Sequence, residues 1–147
     1  MRISIRTRYA LKALVDLALH EGAGPVTVRS IARRQQIPPR YLEQLFNRLR
    51  RGGIILSERG PRGGYRLGRR PGEISVSDVF RLLDSPPAAG EGRPLPLSDP
   101  VDPGQQVWRQ VTQAVQTTLE AATLEELAAQ ALEQAPSAFN HPFPFHI

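Results

Sequence analysis

The fold is decided between Thr27 and Leu67, where the chain reads TVRSIARRQQIPPRYLEQLFNRLRRGGIILSERGPRGGYRL. Thr27 is a typical N-cap, and it precedes a short segment with helical apolar spacing that runs to about Gln36. Pro38 and Pro39 follow, and proline is excluded from helix interiors but favoured in a first turn. The pattern therefore predicts a helix-turn-helix whose second helix starts at about Pro39.

The second predicted helix has two different faces. Its core face consists of apolar residues at spacings of three and four: Leu42, Leu45, Phe46 and Leu49. Its opposite stripe is polar and consists of Arg40, Gln44, Asn47 and Arg51. An ordinary solvated face would explain this stripe, but Arg, Gln and Asn are also the side chains that read base edges through paired hydrogen bonds. The stripe alone leaves both interpretations open.

A short hairpin is predicted directly after this helix. Residues 54–57 and 65–67 are β-compatible, and the turn-rich segment 58–64 between them carries Arg59 and Arg62 among glycines. Glycine allows the backbone to approach a narrow groove, into which Arg59 or Arg62 could insert. An ordinary hairpin with solubilising charges is the alternative for the tip alone. The order helix, helix, arginine-rich hairpin predicts a winged helix.

The first helix is unusually apolar. Between Tyr9 and His20 the strongly polar side chains are Lys12, Asp16 and His20, spaced four apart, so they predict one narrow exposed stripe. Thr7 is the expected N-cap. The remaining surface of this helix must be covered, either by the C-terminal half of the chain or by a partner subunit.

The C-terminal half is predicted to contain three further helices. Ser75 and Asp78 form a capping box for the first, and Thr123 and Glu126 form another that starts a helix over 124–134. Between them, a helix that opens after Gly104 carries a seam suited to dimerisation, made of Trp108, Val111, Val115 and Leu119 and continued by Ala122.

These patterns divide the chain into four parts. We predict a winged helix-turn-helix DNA-binding domain over 1–85, a loop rich in proline and glycine over 86–104, dimerisation helices over 105–134 and a tail over 135–147. The fold class is mainly α with a small β-hairpin. The tail carries two histidines without a carboxylate or thiol beside them, and we expect it to be a docked or disordered end rather than a metal site.

Charge is distributed very unevenly along the chain. Residues 1–81 carry 17 basic and 6 acidic groups, a net charge of +11, whereas residues 82–147 carry 2 basic and 8 acidic groups, a net charge of −6. A basic half of this kind is expected to meet a polyanion, and double-stranded DNA is the obvious one. No apolar run is long enough for a membrane span, and the N-terminus lacks a secretion signal, so a cytoplasmic protein without a membrane partner is expected.

Three stretches together resemble the IscR family of bacterial winged-helix regulators, which includes NsrR-type and CymR-type members. They are YALKALVDLA at 9–18, YLEQLF at 41–46 and RGPRGGYRL at 59–67. The resemblance covers Met1 to about Leu83, and the C-terminal third matches in layout more than in residues. It implies a dimeric winged helix in which the long C-terminal helix crosses the corresponding helix of the partner.

The resemblance also assigns roles to individual residues. It implies that Arg40, Tyr41 and Gln44 lie in the major groove and that Arg59 enters the minor groove from the wing. It further implies that Glu43 tunes base preference. The positions of Tyr41 and Glu43 flank the polar stripe, so their roles come from the resemblance alone.

The chain departs from the cluster-binding members of that family. Those members carry three cysteines in the loop before the long helix, whereas this chain has no cysteine at all. We therefore expect no iron-sulfur cluster and no other cofactor, and any small-molecule or protein effector would act through the loop from Ala88 to Gln106.

These observations predict a sequence-specific transcription regulator that acts as a repressor and binds a palindromic operator as a homodimer. A winged-helix module that binds protein instead of DNA is the alternative, although it would not require the charge of the basic half. An enzyme is not expected, because the sequence contains no cysteine, no phosphate-binding loop and no paired carboxylates of recognised spacing.

Overall fold

The computed structural model describes residues 3–84 and 103–134. Within these ranges the chain forms six α-helices and one two-stranded antiparallel sheet. In chain order the elements are α1 (Ile5–His20), α2 (Val28–Gln35), α3 (Pro39–Arg51), β1 (Ile55–Glu58), β2 (Gly64–Leu67), α4 (Val76–Leu83), α5 (Pro103–Ala121) and α6 (Leu124–Gln134). The mainly helical fold class with a small hairpin is confirmed. Most of the predicted loop and all of the predicted tail lie outside the described residues.

Helix α1 starts earlier than the sequence suggests. Its N-cap is Ser4, whose hydroxyl accepts a hydrogen bond from the Thr7 amide at 3.2 Å. The prediction of Thr7 as the cap was wrong, because Thr7 is a fully buried helical residue whose hydroxyl donates to Asp84 at 2.6 Å. The residue that could cap the helix locally is instead used to attach α1 to the end of α4.

The helix-turn-helix forms where the prolines predict it. Thr27 caps α2 by accepting a hydrogen bond from the Ser30 amide at 3.1 Å. Gln36 then adopts a left-handed conformation with φ 56°, which ends α2 and turns the chain towards Pro39 at the start of α3.

The hairpin is attached to the rest of the domain by a third short segment. Strands β1 and β2 pair with Ile55 opposite Leu67 and Glu58 opposite Gly64. Val26, from the linker between α1 and α2, forms an antiparallel bridge with Tyr65, with N···O distances of 2.9 and 2.7 Å. This bridge fixes the base of the wing to the linker that precedes α2.

One hydrophobic core joins elements from both ends of the described chain. It contains Leu14 of α1, Phe46 of α3 and Ile55 of β1, all essentially inaccessible to solvent. Leu124 of α6 is also fully buried in this cluster, and α6 packs along α1. The C-terminal half of the chain therefore covers part of α1, which is one of the two possibilities that the sequence left open.

The prediction that Lys12, Asp16 and His20 form an exposed stripe on α1 was wrong at Asp16. Asp16 is fully buried and binds Arg34, whereas Lys12 is exposed and His20 is half-buried. Helical spacing shows that polar residues share a face, but it does not show that another helix supplies a buried cation to one of them.

Candidate nucleic-acid interface

Helix α3 separates its core face from a polar outer face. The four predicted core residues are all buried: Leu42, Leu45, Phe46 and Leu49. The outer face bears five of the predicted DNA-contacting residues, all of them exposed: Arg40, Glu43, Gln44, Asn47 and Arg51. The sixth, Tyr41, is half-buried because its ring packs edge-on against Tyr9, with ring centroids 5.7 Å apart.

Two further contacts attach α3 to α4 and to the wing. Arg48 donates a hydrogen bond to the Leu82 carbonyl of α4 at 3.0 Å. Phe46 packs edge-on against Tyr65 of the wing, with ring centroids 5.1 Å apart. The orientation of α3 relative to α4 and to the wing is therefore set by packing on both sides.

The wing tip presents two arginines. Arg59 and Arg62 are exposed, and neither makes a hydrogen bond or ion pair with another described residue. The turn is tight, because Gly60 has a φ of 114° and its carbonyl accepts a hydrogen bond from the Gly63 amide at 2.9 Å. Only glycine adopts such a φ without strain, which is why this short turn can form. The turn therefore presents the two arginine side chains close together at the tip.

The base of the wing contains charged contacts that the sequence analysis missed. The Glu21 carboxylate accepts a hydrogen bond from the Leu67 amide at 3.3 Å. Arg66 forms an ion pair with Glu58 across the hairpin and also donates to the Glu21 carbonyl at 3.5 Å. Burial raises the pKa of Glu21 above its ordinary value of 4.5, against the opposing effects of the Leu67 amide and the Arg66 charge.

Opposite charges on paired strands could have revealed the pair of Glu58 and Arg66 from the sequence, once the hairpin register was assumed. No comparable signal exists for Glu21 or Val26, because their contacts with the wing depend on how α1 and α2 pack.

Some arginines of the basic half, residues 1–81, form internal ion pairs. Arg34 is buried against Asp16, and Arg6 and Arg69 form ion pairs with Asp84 and Asp78. Within residues 3–84, the exposed arginines for which the structure shows no internal hydrogen bond or ion pair are Arg8, Arg29, Arg33, Arg40, Arg50, Arg51, Arg59, Arg62 and Arg70. Most of this set belongs to α2, α3 and the wing, so the positive charge free for an external anion is concentrated on the helix-turn-helix and hairpin.

The apolar seam predicted on α5 lies at the surface of the single chain. Trp108 is 63% exposed and Val111 is 45% exposed, while Val115 and Leu119 are half-buried. No residue of α5 is buried. The helix begins at Pro103, two residues before the predicted boundary, because proline is well suited to a first helical turn.

A groove of about 660 Å³ lies between α1 and α6. Its wall is mostly apolar and includes Ile5, Val15, Leu127 and Ala131. Ile5 is 59% exposed, so this surface and the α5 seam are two apolar surfaces that the single chain leaves uncovered.

Comparison with known proteins identifies the family. The family model described as Rrf2, iron-dependent transcriptional regulator, matches residues 3–130. The chain belongs to the Rrf2 family. It is a winged-helix, DNA-binding transcription regulator, as the resemblance to IscR-type and CymR-type proteins predicted.

Individual Rrf2 relatives match over most of their length. The transcriptional regulator CymR of Bacillus subtilis is 37% identical over 129 residues, which cover 88% of this chain and 91% of that protein. The regulator IscR of Xenorhabdus nematophila is 40% identical over 129 residues, which cover 86% and 79% respectively. The solved structure of B. subtilis CymR, described as a global cysteine regulator, matches with a TM-score of 0.77 and 35% identity, covering 88% of this chain and 98% of that one. The structure of T. potens IscR matches with a TM-score of 0.74 and 35% identity, covering 92% and 91%.

The donor set of this Rrf2 chain does not fit an iron-sulfur cluster, although the family description names iron. Such clusters are held mainly by cysteine thiolates, and the chain has none. Among residues 3–84 and 103–134, no three histidine or acidic side chains lie close enough together to hold a metal ion. In the same part of the chain, no helix combines the length and apolar character that a membrane crossing requires.

Proposed function

We propose that this chain is a cluster-free Rrf2 regulator that binds a palindromic operator as a homodimer in the bacterial cytoplasm and represses transcription there. The observation that carries the proposal is that an exposed face of Arg, Gln and Asn on α3 occurs together with two exposed arginines at the wing tip that have no hydrogen-bond or ion-pair partner among the described residues. In a winged helix these elements reach adjacent grooves of one duplex.

The two elements have different roles in this proposal. Gln44, with Arg40, Tyr41 and Asn47 beside it, reads base edges in the major groove, and Glu43 tunes the preference. Arg51 contacts the backbone at the end of α3. Arg59 enters the minor groove, and Arg62 contacts phosphates without regard to sequence.

A mobility-shift titration over a salt series tests these roles. Gln44→Ala is expected to weaken operator binding by about 1 to 3 kcal/mol and to relax preference at one base pair. Arg62→Ala is expected to weaken operator and random DNA alike. Arg70→Ala is the charge-matched control, since it removes one exposed arginine outside the helix-turn-helix and the wing tip.

If Gln44→Ala and Arg62→Ala lose affinity equally on both DNAs, the assignment of roles is wrong. Salt-insensitive or absent DNA binding by the wild-type chain would favour the protein-binding module instead. A reporter under the mapped operator distinguishes repression from activation.

The proposed dimer uses the two uncovered apolar surfaces. The α5 seam of one protomer, from Trp108 to Leu119, crosses the partner's α5 and packs against the partner's α1. The groove between α1 and α6 supplies an apolar surface of matching character. A two-fold dimer of this kind sets the two α3 helices about one helical turn of DNA apart, or a multiple of it.

The absence of cysteine supports regulation without a cluster. Protein purified without oxygen is expected to contain no stoichiometric iron or sulfide, to lack visible absorbance and to bind its operator in that state. DNA binding that depends on added iron and sulfide would contradict this. An effector would bind the DNA-competent and DNA-incompetent forms with different affinity, and we place its site of action in the loop between α4 and α5.

A further inference from the structure

The wing carries an acidic residue at the point where DNA is expected to approach. Glu58 is the last paired residue of β1, and Arg59 follows it directly. A carboxylate next to a DNA-contacting arginine repels phosphates, so an uncompensated Glu58 would lower affinity for any duplex.

The geometry of the hairpin shows what Glu58 contacts. In the register of the two strands, Glu58 and Arg66 lie on the same face in diagonal positions, and Arg66 Nε donates to Glu58 Oε1. Another nitrogen of the same guanidinium lies 3.5 Å from the Glu21 carbonyl. One side chain therefore connects the end of β1 with the turn that follows α1.

This connection lies on the outer face of the wing, opposite its packed face. On the packed face, Tyr65 contacts Phe46 of α3 and pairs with Val26. The base of the hairpin is thus fixed to the recognition helix and to the linker before α2, whereas the side chain of Glu58, at the last pair before the tip, is held by Arg66.

We propose that the ion pair between Glu58 and Arg66 positions the wing tip so that Arg59 is held in the orientation that enters the minor groove. Glu58 is a positioning residue in this view, and it raises operator affinity although it carries the charge that DNA repels. The proposal rests on the proposed function and concerns two residues, Glu58 and Arg66, to which that function assigns no base contact.

The sign of one substitution separates positioning from simple repulsion. Glu58→Gln keeps the size of the side chain but removes its charge. Positioning predicts that operator affinity falls about two- to fivefold, the range expected from an exposed ion pair, while affinity for random DNA stays constant or rises. Glu73→Gln is the matched control, because it removes another exposed glutamate, one that lies outside the wing.

A mutant cycle tests whether the effect acts through Arg59. In an Arg59→Ala background, Glu58→Gln is expected to cause no further loss of operator affinity, because the group that it positions is gone. Additive losses would overturn the proposal. So would tighter binding of operator and random DNA by Glu58→Gln, since that result would mean that Glu58 only repels phosphates.

Amide hydrogen exchange on the DNA-free protein separates this proposal from the proposed function. Glu58→Gln and Arg66→Met are both expected to speed exchange in the tip, most clearly at the Gly63 amide, while the Tyr65 amide that pairs with Val26 stays protected. Unchanged exchange at the tip would overturn the positioning role. If the tip loosens as expected but Arg59→Ala binds all DNA like the wild type, positioning holds and the assignment of the wing as a DNA contact fails.

Discussion

Asp16 of α1 and Arg34 of α2 form a bidentate ion pair that is almost completely shielded from solvent. Arg34 Nε lies 2.9 Å from Asp16 Oδ2, and Arg34 Nη2 lies 2.6 Å from Asp16 Oδ1. Gln35 donates a further hydrogen bond to the carboxylate at 2.8 Å. The first helix of the helix-turn-helix is therefore attached to α1 by charged hydrogen bonds as well as by apolar packing.

Removing one partner of this pair is expected to lower the stability of the fold strongly. Asp16→Ala deprives the buried Arg34 guanidinium of the carboxylate that balances its charge, and such losses lower the free energy of unfolding by about 3 to 5 kcal/mol. Chemical denaturation measures the change. Lys12→Ala, an exposed change on the same helix, should stay within about 0.5 kcal/mol of the wild type.

Replacing both partners by apolar residues tests whether the fold needs this ion pair or only its packing. Because desolvation offsets much of the attraction in a buried ion pair, Asp16→Leu combined with Arg34→Met is expected to be more stable than Asp16→Ala alone. A double variant as unstable as Asp16→Ala would show that the pair has a geometric role that apolar packing cannot replace.

Asp84 should make stability depend on pH in the acid range. Burial alone would raise the pKa of Asp84, but hydrogen bonds from Thr7 and Ser4 and the charge of Arg6 outweigh it and hold the pKa below 3.8. A lowered folded-state pKa means that the ionised carboxylate stabilises the fold above about pH 4 and that this contribution is lost as the pH falls through the folded-state pKa.

The substitution Asp84→Asn isolates this contribution. The variant is expected to be about 1 kcal/mol less stable than the wild type at pH 7, the difference between a charged and a neutral hydrogen-bond acceptor. The difference in unfolding free energy between the two proteins should disappear as the pH is lowered below the usual pKa of aspartate. A gap that is constant from pH 7 to pH 3 would rule out the carboxylate charge as its cause.

Gly64 allows the wing to approach the linker before α2. A Cβ at this position would lie 2.6 Å from the Val26 carbonyl oxygen, so Gly64→Ala is expected to separate the third segment from the hairpin and cost about 1 to 3 kcal/mol. Gly22→Ala is the control, since its Cβ would have no neighbour within 4 Å. Thermal unfolding compares the two, and equal melting temperatures would contradict the close approach.

Trp108 should matter for assembly and not for the fold of one chain. It is 63% exposed, so Trp108→Ala is expected to leave the protomer folded while shifting the monomer–dimer equilibrium towards the monomer. If the ring is fully buried in the dimer, the loss is about 3 to 5 kcal/mol. Sedimentation velocity measures the shift, and Gln110→Ala, exposed on the opposite side of α5, is the control. A wild-type monomer that binds operator DNA would refute the dimer.

Local chemistry made several of the helix boundaries predictable. The break at Pro38 and Pro39, the cap at Thr27 and the reciprocal capping box of Ser75 and Asp78 all form as the sequence indicated. Each depends on residues within four positions of one another, so the sequence alone contains the necessary information.

The errors came from contacts between distant residues. Thr7 is not a cap because its hydroxyl donates a hydrogen bond to Asp84, and Asp16 is not exposed because Arg34 binds it. For the candidate site, spacing identified the exposed face of α3 and the wing arginines, but it could not show the charged contacts of Glu21 with the base of the wing. Those contacts exist only once the helices have packed.

The burial of Leu124 in the same core as Leu14 has a kinetic consequence. These residues are far apart in the chain, and the Leu124 amide also donates to the Ile74 carbonyl at 2.9 Å. Contacts between distant segments slow folding, because the entropy of closing the intervening loop is lost before the contact forms. During synthesis, the surface of α1 that α6 will cover therefore remains open after the helix-turn-helix and wing have been made. In that interval the nascent regulator is more prone to bind other unfinished chains than its finished fold suggests.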